Sequence, residues 1–330
     1  MTKPYHIKIG LTDNDVLEMY RYMVLARKLD ERMLLLNRAG KAPFVVSGQG
    51  QEATQIGAGF ALDLTKDYIA PYYRDLGLVL VAGMTSQEAM LHLFAKAEDP
   101  NSGGRQMAGH YGHKEKRIIT GSSPVATQVP HAVGFALAAK YQGKDFVTLT
   151  TLGDGSTNQG DFHEGLNFAG VHQLPVITLV QNNNIAISVP FDKQIASENI
   201  AVRASSYGMP GFEVDGNNPL EVYEVMKEAH KRAKNGEGPT LIEAVSERLS
   251  AHSSDDNQNQ YRTEEELNES KEKDCNISFK KYLYEHELLN EEIEKEIESN
   301  VAKEVNDATK YAEEAPYPDI DTIKNYVYEL

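Results

Sequence analysis

The sequence predicts an α/β protein: a mostly parallel sheet with helices on both faces, an N-terminal helix and a helical C-terminal region. Three observations carry that prediction. Short β-rich runs at 146–152, 176–180 and 240–245 alternate with helical patterns, as in parallel βαβ units. The runs are apolar throughout, as strands covered on both faces are. With 41% hydrophobic and 25% charged residues, the composition is that of a soluble globular chain and excludes a wholly disordered one.

The elements follow in order. Residues 1–40 form a short polar arm and a helix. Thr12-Asp13-Asn14-Asp15 reads as a capping box. Val16, Tyr20, Met23 and Val24 then recur at helical spacing, so one face is buried. The helix is expected to end near Asn37, with Gly40 as its stop signal. Residues 41–262 form the α/β core. Its first strand run ends in Gly153-Asp154-Gly155, a helix is expected over 162–169, and a second run at 176–180 leads into Asn182-Asn183. A helix over 220–234 precedes the run at 240–245. From 263 to 330 the chain turns charged and helical, and its acidic runs read as solvated helix faces. The three segments are expected to pack as one structural domain. The last stretch carries Tyr317, Ile320, Ile323, Tyr326, Val327 and Tyr328, and so apolar a tail is expected to dock on this chain or on a partner.

Charge and cysteine usage narrow the function. The formal net charge of −16 makes the chain a poor general binder of nucleic acid or of anionic membrane. One cysteine, Cys275, cannot close an internal disulfide or build a cysteine-based zinc site. The N-terminus lacks an apolar secretory run, and no uninterrupted apolar stretch is long enough to span a bilayer. The expectation is a soluble cytoplasmic protein. A Walker lysine motif and a GxGxxG after the first strand are both missing, which argues against a nucleotide-binding protein.

The most informative feature is Gly153-Asp154-Gly155 followed roughly thirty residues later by Asn182-Asn183. Asp154 lies just past one strand run and Asn183 just past the next. In a right-handed βαβ unit both ends fall on one sheet edge, where ligands of open α/β sheets bind. A carboxylate and an amide oxygen suit Mg²⁺ or Ca²⁺ rather than a soft metal. The flanking glycines allow close backbone approach to a phosphate, and the following helix aims N–H groups at an anion. Each motif alone reads more readily as a turn; together, at consecutive strand ends, they read as a Mg²⁺-diphosphate site.

GDG followed by NN resembles the thiamine diphosphate signature. The segments LGDGSTNQGDFHEGLNFAGVHQLPVITLVQNNNIAIS, GSSPVATQVPHAVGFALA and PYYRDLG resemble the alpha chains of 2-oxo acid dehydrogenases. RLSAHSSDD and GGRQMAGHYG are most similar to the bacterial branched-chain type. The resemblance runs from about Leu11 to Leu330 and implies the thiamine diphosphate-binding fold.

Carried over by position, it implies that Asp154 and Asn183 are the side-chain Mg²⁺ ligands and that Ile185 supplies a backbone carbonyl. Many relatives have an aromatic residue in place of Ile185, and many branched-chain relatives have Glu in place of Asp154. Neither departure removes an oxygen donor. Tyr73 and Arg74 match the pair that contacts the diphosphate, for which a guanidinium has the fork geometry. Ser123 and Val125 match positions lining the pyrimidine ring. Gly153, Gly155, Ser156 and Gln181 fall within the same cofactor motifs. Ser122, Pro124, Thr127 and Gln128 match a potassium site. His252, in the polar loop SAHSSDDNQNQYR, matches the catalytic and cofactor-contacting histidine, with Arg248 expected to orient its loop. Ala251 stands where relatives often have His or Pro. His110 is a weaker candidate for pocket lining, and Phe44, Val45 and Val46 are candidates for an apolar wall or for core.

The implied reaction is oxidative decarboxylation of a 2-oxo acid, with the acyl unit passed to a lipoyl group of an acyltransferase partner. A histidine near its ordinary pKa of about 6.5 would exchange protons in that reaction. Thiamine enzymes also need a carboxylate against the pyrimidine ring, and no glutamate here matches that motif. In the resembled family a beta chain supplies it, so an assembly of two alpha and two beta chains is expected. Pyruvate or acetoin remains an alternative substrate. A non-catalytic binding protein is the alternative from another class.

Overall fold

The computed structural model describes residues 3–325 and Val327. Among the described residues, seven strands form two sheets. The larger contains β1 (Tyr68–Ala70), β2 (Thr148–Gly153), β3 (Val176–Asn182), β6 (Gly211–Asp215) and β7 (Thr240–Val245), in the order β1-β2-β3-β7-β6 and parallel throughout. The smaller is a hairpin of β4 (Ile185–Ala186) and β5 (Val189–Pro190).

Both faces of the large sheet are covered, which explains why its strands read as unbroken apolar runs. On β3, Ile177 and Leu179 join the core formed with the helices Asp13–Arg38, Glu52–Phe60 and Pro219–Lys234, whereas Val180 faces Phe162 and Leu166 of the helix Gly160–His172. Ile242 and Leu241 of β7 divide in the same way.

The N-terminal helix is capped as its sequence foretold. Thr12 Oγ1 accepts from Asp15 N at 3.2 Å, and Asp15 Oδ2 accepts from Thr12 N at 2.7 Å. The expected first strand begins two residues later than its apolar run, because Phe146 lies outside the ladder. The helix expected over 162–169 extends to Gly160–His172, and the strand from Val176 reaches Asn182. β1 and β6 have no counterpart among the expected strands. β1 has three residues, and β6 is a mostly exposed edge strand without an apolar run.

The acidic C-terminal segments form the helices Glu264–Glu272, Cys275–Glu285 and Glu291–Glu314. Phe279, Leu283, Val301 and Val305 join the same core as the N-terminal helix. The tail docks on this chain at its beginning: Ala97 N donates to Pro316 O at 3.0 Å, and Lys96 Nζ lies 3.8 Å from the Tyr317 ring centroid. Beyond it Ile320 is 78% exposed, and Ile323 and Val327 are exposed too. Tyr326 and Tyr328 lie outside the described residues. Among the described residues, no helix is long and apolar enough to cross a membrane.

Candidate active site

The parallel register brings the two motifs to one edge. Gly153 pairs with Gln181 and Asn182 with Val245, so β2, β3 and β7 end side by side. Asp154 opens a single 3₁₀ turn after β2, and Asn183 follows β3 directly. Both line a cavity of about 270 Å³ with charged groups in its wall, together with Gly153, Gly155, Ser156 and Ile185. Tyr73, Arg74 and His252 close its other side.

The hairpin β4–β5 folds over this cavity and explains one glycine. A Cβ on Gly155 would stand 2.6 Å from Ala186 Cβ, so a side chain there would push the hairpin away. Ile187, between the hairpin strands, has φ +55°, a strained value for a β-branched residue. Its carbonyl is held by Arg248 Nη2 at 2.9 Å.

Three oxygens here fit a hard divalent cation. Asn183 Oδ1 is buried without a hydrogen-bond partner, an arrangement that leaves an acceptor's desolvation uncompensated until something fills it. Asp154 is buried, and burial pushes its carboxyl pKa up, against the Gln194 hydrogen bond and the Arg248 charge. A bound cation would stabilise the carboxylate. Ile185 lines the same cavity, and its carbonyl is 3.5 Å from Arg248 Nη1, a long contact that a cation could replace. Gln194 Nε2 donates to Asp154 Oδ2 at 2.5 Å, and no sequence signal marked it.

A second cavity of about 200 Å³ adjoins the first and shares Tyr73, Val125, Ser156 and His252 with it. Phe44, Val46 and Met107 make it largely apolar. Val45, between two wall residues, points instead into the core. Ser123 and Val125 line this cavity, as do Ser122, Gln128 and His110. The His110 ring has a fixed tautomer. Nδ1 faces the Met107 carbonyl at 3.0 Å and must donate, so Nε2 accepts from Ser123 Oγ at 2.6 Å. Pro124 and Thr127 lie on the same turn but line neither cavity, and Gln128 Nε2 donates to Thr151 O at 2.9 Å.

Gln181 is placed differently from its motif neighbours. It is buried within β3 and lines neither cavity. Its amide nitrogen donates to Asp75 Oδ1 at 2.5 Å, and its oxygen accepts from Gln55 Nε2 at 3.2 Å. Its side chain supports Asp75, not the cavity.

His252 joins the two cavities. Arg74 Nη2 donates to its Nδ1 and to its carbonyl, both at 3.0 Å, so the neutral ring carries its proton on Nε2. Its backbone N–H donates to Asp256 Oδ2 at 2.8 Å, and Tyr261 OH donates to the same oxygen. Arg248, buried under the loop it was expected to orient, reaches Tyr261 OH at 3.0 Å and also the hairpin, so it ties the two together. The ring does not keep the ordinary histidine pKa that the sequence suggested. Burial, then the Arg74 and Arg248 charges, push it down to about 4. In this environment His252 is neutral near pH 7, with a proton on Nε2 that it can donate.

Comparison with known proteins shows the family. Residues 20–321 match the family model described as "Dehydrogenase E1 component". The chain is 58% identical over 328 residues to "2-oxoisovalerate dehydrogenase subunit alpha" of Bacillus subtilis (strain 168), covering 99% of each chain. It is 39% identical over 320 residues to "Pyruvate dehydrogenase E1 component subunit alpha" of the same organism, covering 97% of this chain and 83% of the relative. The protein of that name from Staphylococcus aureus (strain Mu50 / ATCC 700699) is 38% identical over 324 residues, with coverages of 97% and 84%. With its strand-end carboxylate and amide, its loop histidine and this match over most of its length, the chain belongs to the dehydrogenase E1 component family.

Proposed function

We propose that this chain is the alpha subunit of a branched-chain 2-oxo acid dehydrogenase, acting in the cytoplasm with a beta subunit and a lipoyl-bearing acyltransferase. The observation that carries the reading is the junction of two cavities at His252. One offers a buried carboxylate beside an orphaned amide oxygen, and the other is apolar. The 58% identity to a 2-oxoisovalerate dehydrogenase alpha subunit favours branched-chain acids over pyruvate.

Thiamine diphosphate, when bound, supplies the carbanion-stabilising chemistry that lets a 2-oxo acid lose CO₂. Asp154, Asn183 and the Ile185 carbonyl would hold Mg²⁺, and Mg²⁺ takes few protein ligands beside phosphate oxygens. Tyr73, Arg74, Gly153, Gly155 and Ser156 would face the diphosphate, and Ser123 and Val125 the ring. Ser122, Pro124, Thr127 and Gln128 are the proposed potassium turn. His252 would offer its Nε2 proton to oxygen at the reacting end. An anion beside Arg74 would oppose the guanidinium charge and return the imidazole toward its ordinary pKa.

Two observations support a shared site. Asp154 is the one acidic side chain among the described residues lining the two cavities, and it is assigned to the metal. The second carboxylate that the proposed chemistry needs is assigned to the beta subunit. Met107 and Val125 at the apolar cavity are 52% and 48% exposed, as residues awaiting a cover would be.

The test is turnover of 3-methyl-2-oxobutanoate, 4-methyl-2-oxopentanoate and pyruvate by the complex with its beta subunit, with and without thiamine diphosphate and Mg²⁺. Cofactor-dependent preference for the branched acids is expected. The chain without its partner is expected to be slower by about 10²–10⁴-fold, the range for loss of an essential acid–base group. A pyruvate preference would keep the sites and change the substrate. No turnover by the assembled complex would overturn the reading.

A further inference from the structure

Asp30 is a buried carboxylate that the proposed chemistry does not use. It lies on the helix Asp13–Arg38 and is 4% exposed. No ion pair reaches it among the described residues. Its neighbour Glu52 is a like charge, already paired with Arg27, which also pairs with Asp274. Neutral groups of one turn hold Asp30 instead. Oδ2 accepts from Gly48 N at 2.8 Å, and Oδ1 accepts from Gln49 Nε2 at 3.0 Å. Burial pushes its pKa up to about 6, so the arrangement is costly unless the turn needs it.

That turn grips Arg74 at two points. The Ser47 carbonyl accepts from Arg74 Nη1 at 2.6 Å. Gly48 lies so close to the Arg74 backbone that a Cβ on it would stand 2.6 Å from Arg74 O. The other guanidinium nitrogen, Nη2, holds His252 Nδ1 and its carbonyl. A continuous path of contacts therefore runs from Asp30 through the turn and Arg74 to His252.

We propose that Asp30 is a positioning residue: it fixes the Ser47–Gln49 turn, whose Ser47 carbonyl holds the Arg74 guanidinium against His252. The contacts stand in the chain by themselves, and only the effect on turnover rests on the dehydrogenase reading. Asp30→Asn keeps the shape but can accept on one side only: its N–H₂ either opposes Gly48 N–H or makes the Gln49 amide turn over, and the charge-assisted bonds that hold the turn are lost. The turn then moves, and Arg74 with it.

The experiment follows the His252 imidazole of the full chain by ¹³C–¹H NMR from pH 5 to 8, assigned with His252→Asn. The groups facing His252 are Arg74, Arg248, Asp256 and the Tyr73 ring. In the parent chain its signal is expected to stay flat, as a ring with a pKa of about 4 does. In Asp30→Asn the titration is expected to shift upward into the window as the Arg74 charge leaves the ring, while burial and Arg248 keep it below the ordinary value. Gly48→Ala drives the same turn off Arg74 with Asp30 intact and is expected to give the same signature. It keeps the test decisive if Asp30→Asn does not fold. In the assembled complex, kcat is expected to fall about tenfold or more, with substrate KM changed less than about twofold. A folded variant in which the signal stays flat and kcat is unchanged would leave Asp30 a stability residue and overturn the proposal. A parent complex that turns over no 2-oxo acid would sink the dehydrogenase reading, while the NMR titration would still decide the path.

Discussion

The two cavities that meet at His252 differ in their polar groups: among the described residues one holds Asp154, Asn183 and Arg74, and the other has no carboxylate or guanidinium in its wall. The polar one lies at the ends of three paired strands, and its key groups are buried and braced. Asp154 is held by Gln194, and Arg74 by Ser47 and His252. The apolar one is walled by loops, and Met107 and Val125 remain open to solvent. Sheet geometry can preorganise a metal and diphosphate site within one chain. A wall of loops with exposed apolar residues is finished by whatever covers it.

The sharpest way to break that contrast is to attack the polar half. Asp154→Ala removes the proposed acidic ligand and is expected to weaken Mg²⁺-dependent thiamine diphosphate binding by more than about 100-fold, since even outer partners of metal ligands matter at 10–100-fold. Titration calorimetry on the complex would show it, and affinity within a few-fold of the parent would mean the metal sits elsewhere. His252→Asn probes the junction. A kcat lower by about 10²-fold is expected, within the range for a positioned proton donor, with a smaller change in cofactor affinity. Equal losses in both would make the ring a binding group only.

The apolar half is expected to respond more gently. Val46→Phe narrows the wall and should lower kcat/KM for 3-methyl-2-oxobutanoate relative to pyruvate by about tenfold, the scale of a methylene or two in an apolar pocket. Substrate competition would measure it. An unchanged ratio would place the branched side chain against the beta subunit instead.

The two halves also differed in how legible they were. Asp154 and Asn183 were readable because parallel strands carry consecutive C-terminal ends to one edge, so spacing alone implied proximity. His252 and Arg248 were singled out by the resemblance of RLSAHSSDD to the family, since a polar loop after a strand does not by itself choose among ten histidines. Gln181 was misplaced because it lies in the same motif yet sits inside β3, where Asp75 and Gln55 face it. Asp30 and Gln194 left no local trace, since their partners are set by tertiary contact with segments of no fixed spacing. Phe44, Val45 and Val46 could not be divided into wall and core until the loop's path was known.

The smallest effect tests the bracing itself. Asp75 is buried behind Arg74. It accepts from Thr151 OH, from Gln181 Nε2 and from Tyr72 N, and meets no cation in these contacts. Burial, only partly offset by those donors, pushes its pKa up to about 7. Between the ordinary carboxylate range and that value, the folded chain binds a proton that the unfolded chain has released. Asp75 therefore favours folding less and less as pH rises through this window. His252 has the opposite sign. Its lowered pKa removes stability as pH falls from about 6.5 toward 4, in parent and variant alike. The difference between the parent and Asp75→Asn isolates the carboxyl. Relative to the variant, the parent is expected to lose about 2 kcal/mol between about pH 5 and pH 8, seen as a few degrees in thermal midpoint. Parallel pH slopes in the two proteins would mean that Asp75 is as easily ionised in the folded chain as in the unfolded one, and that the polar half is braced without a buried, proton-holding carboxyl.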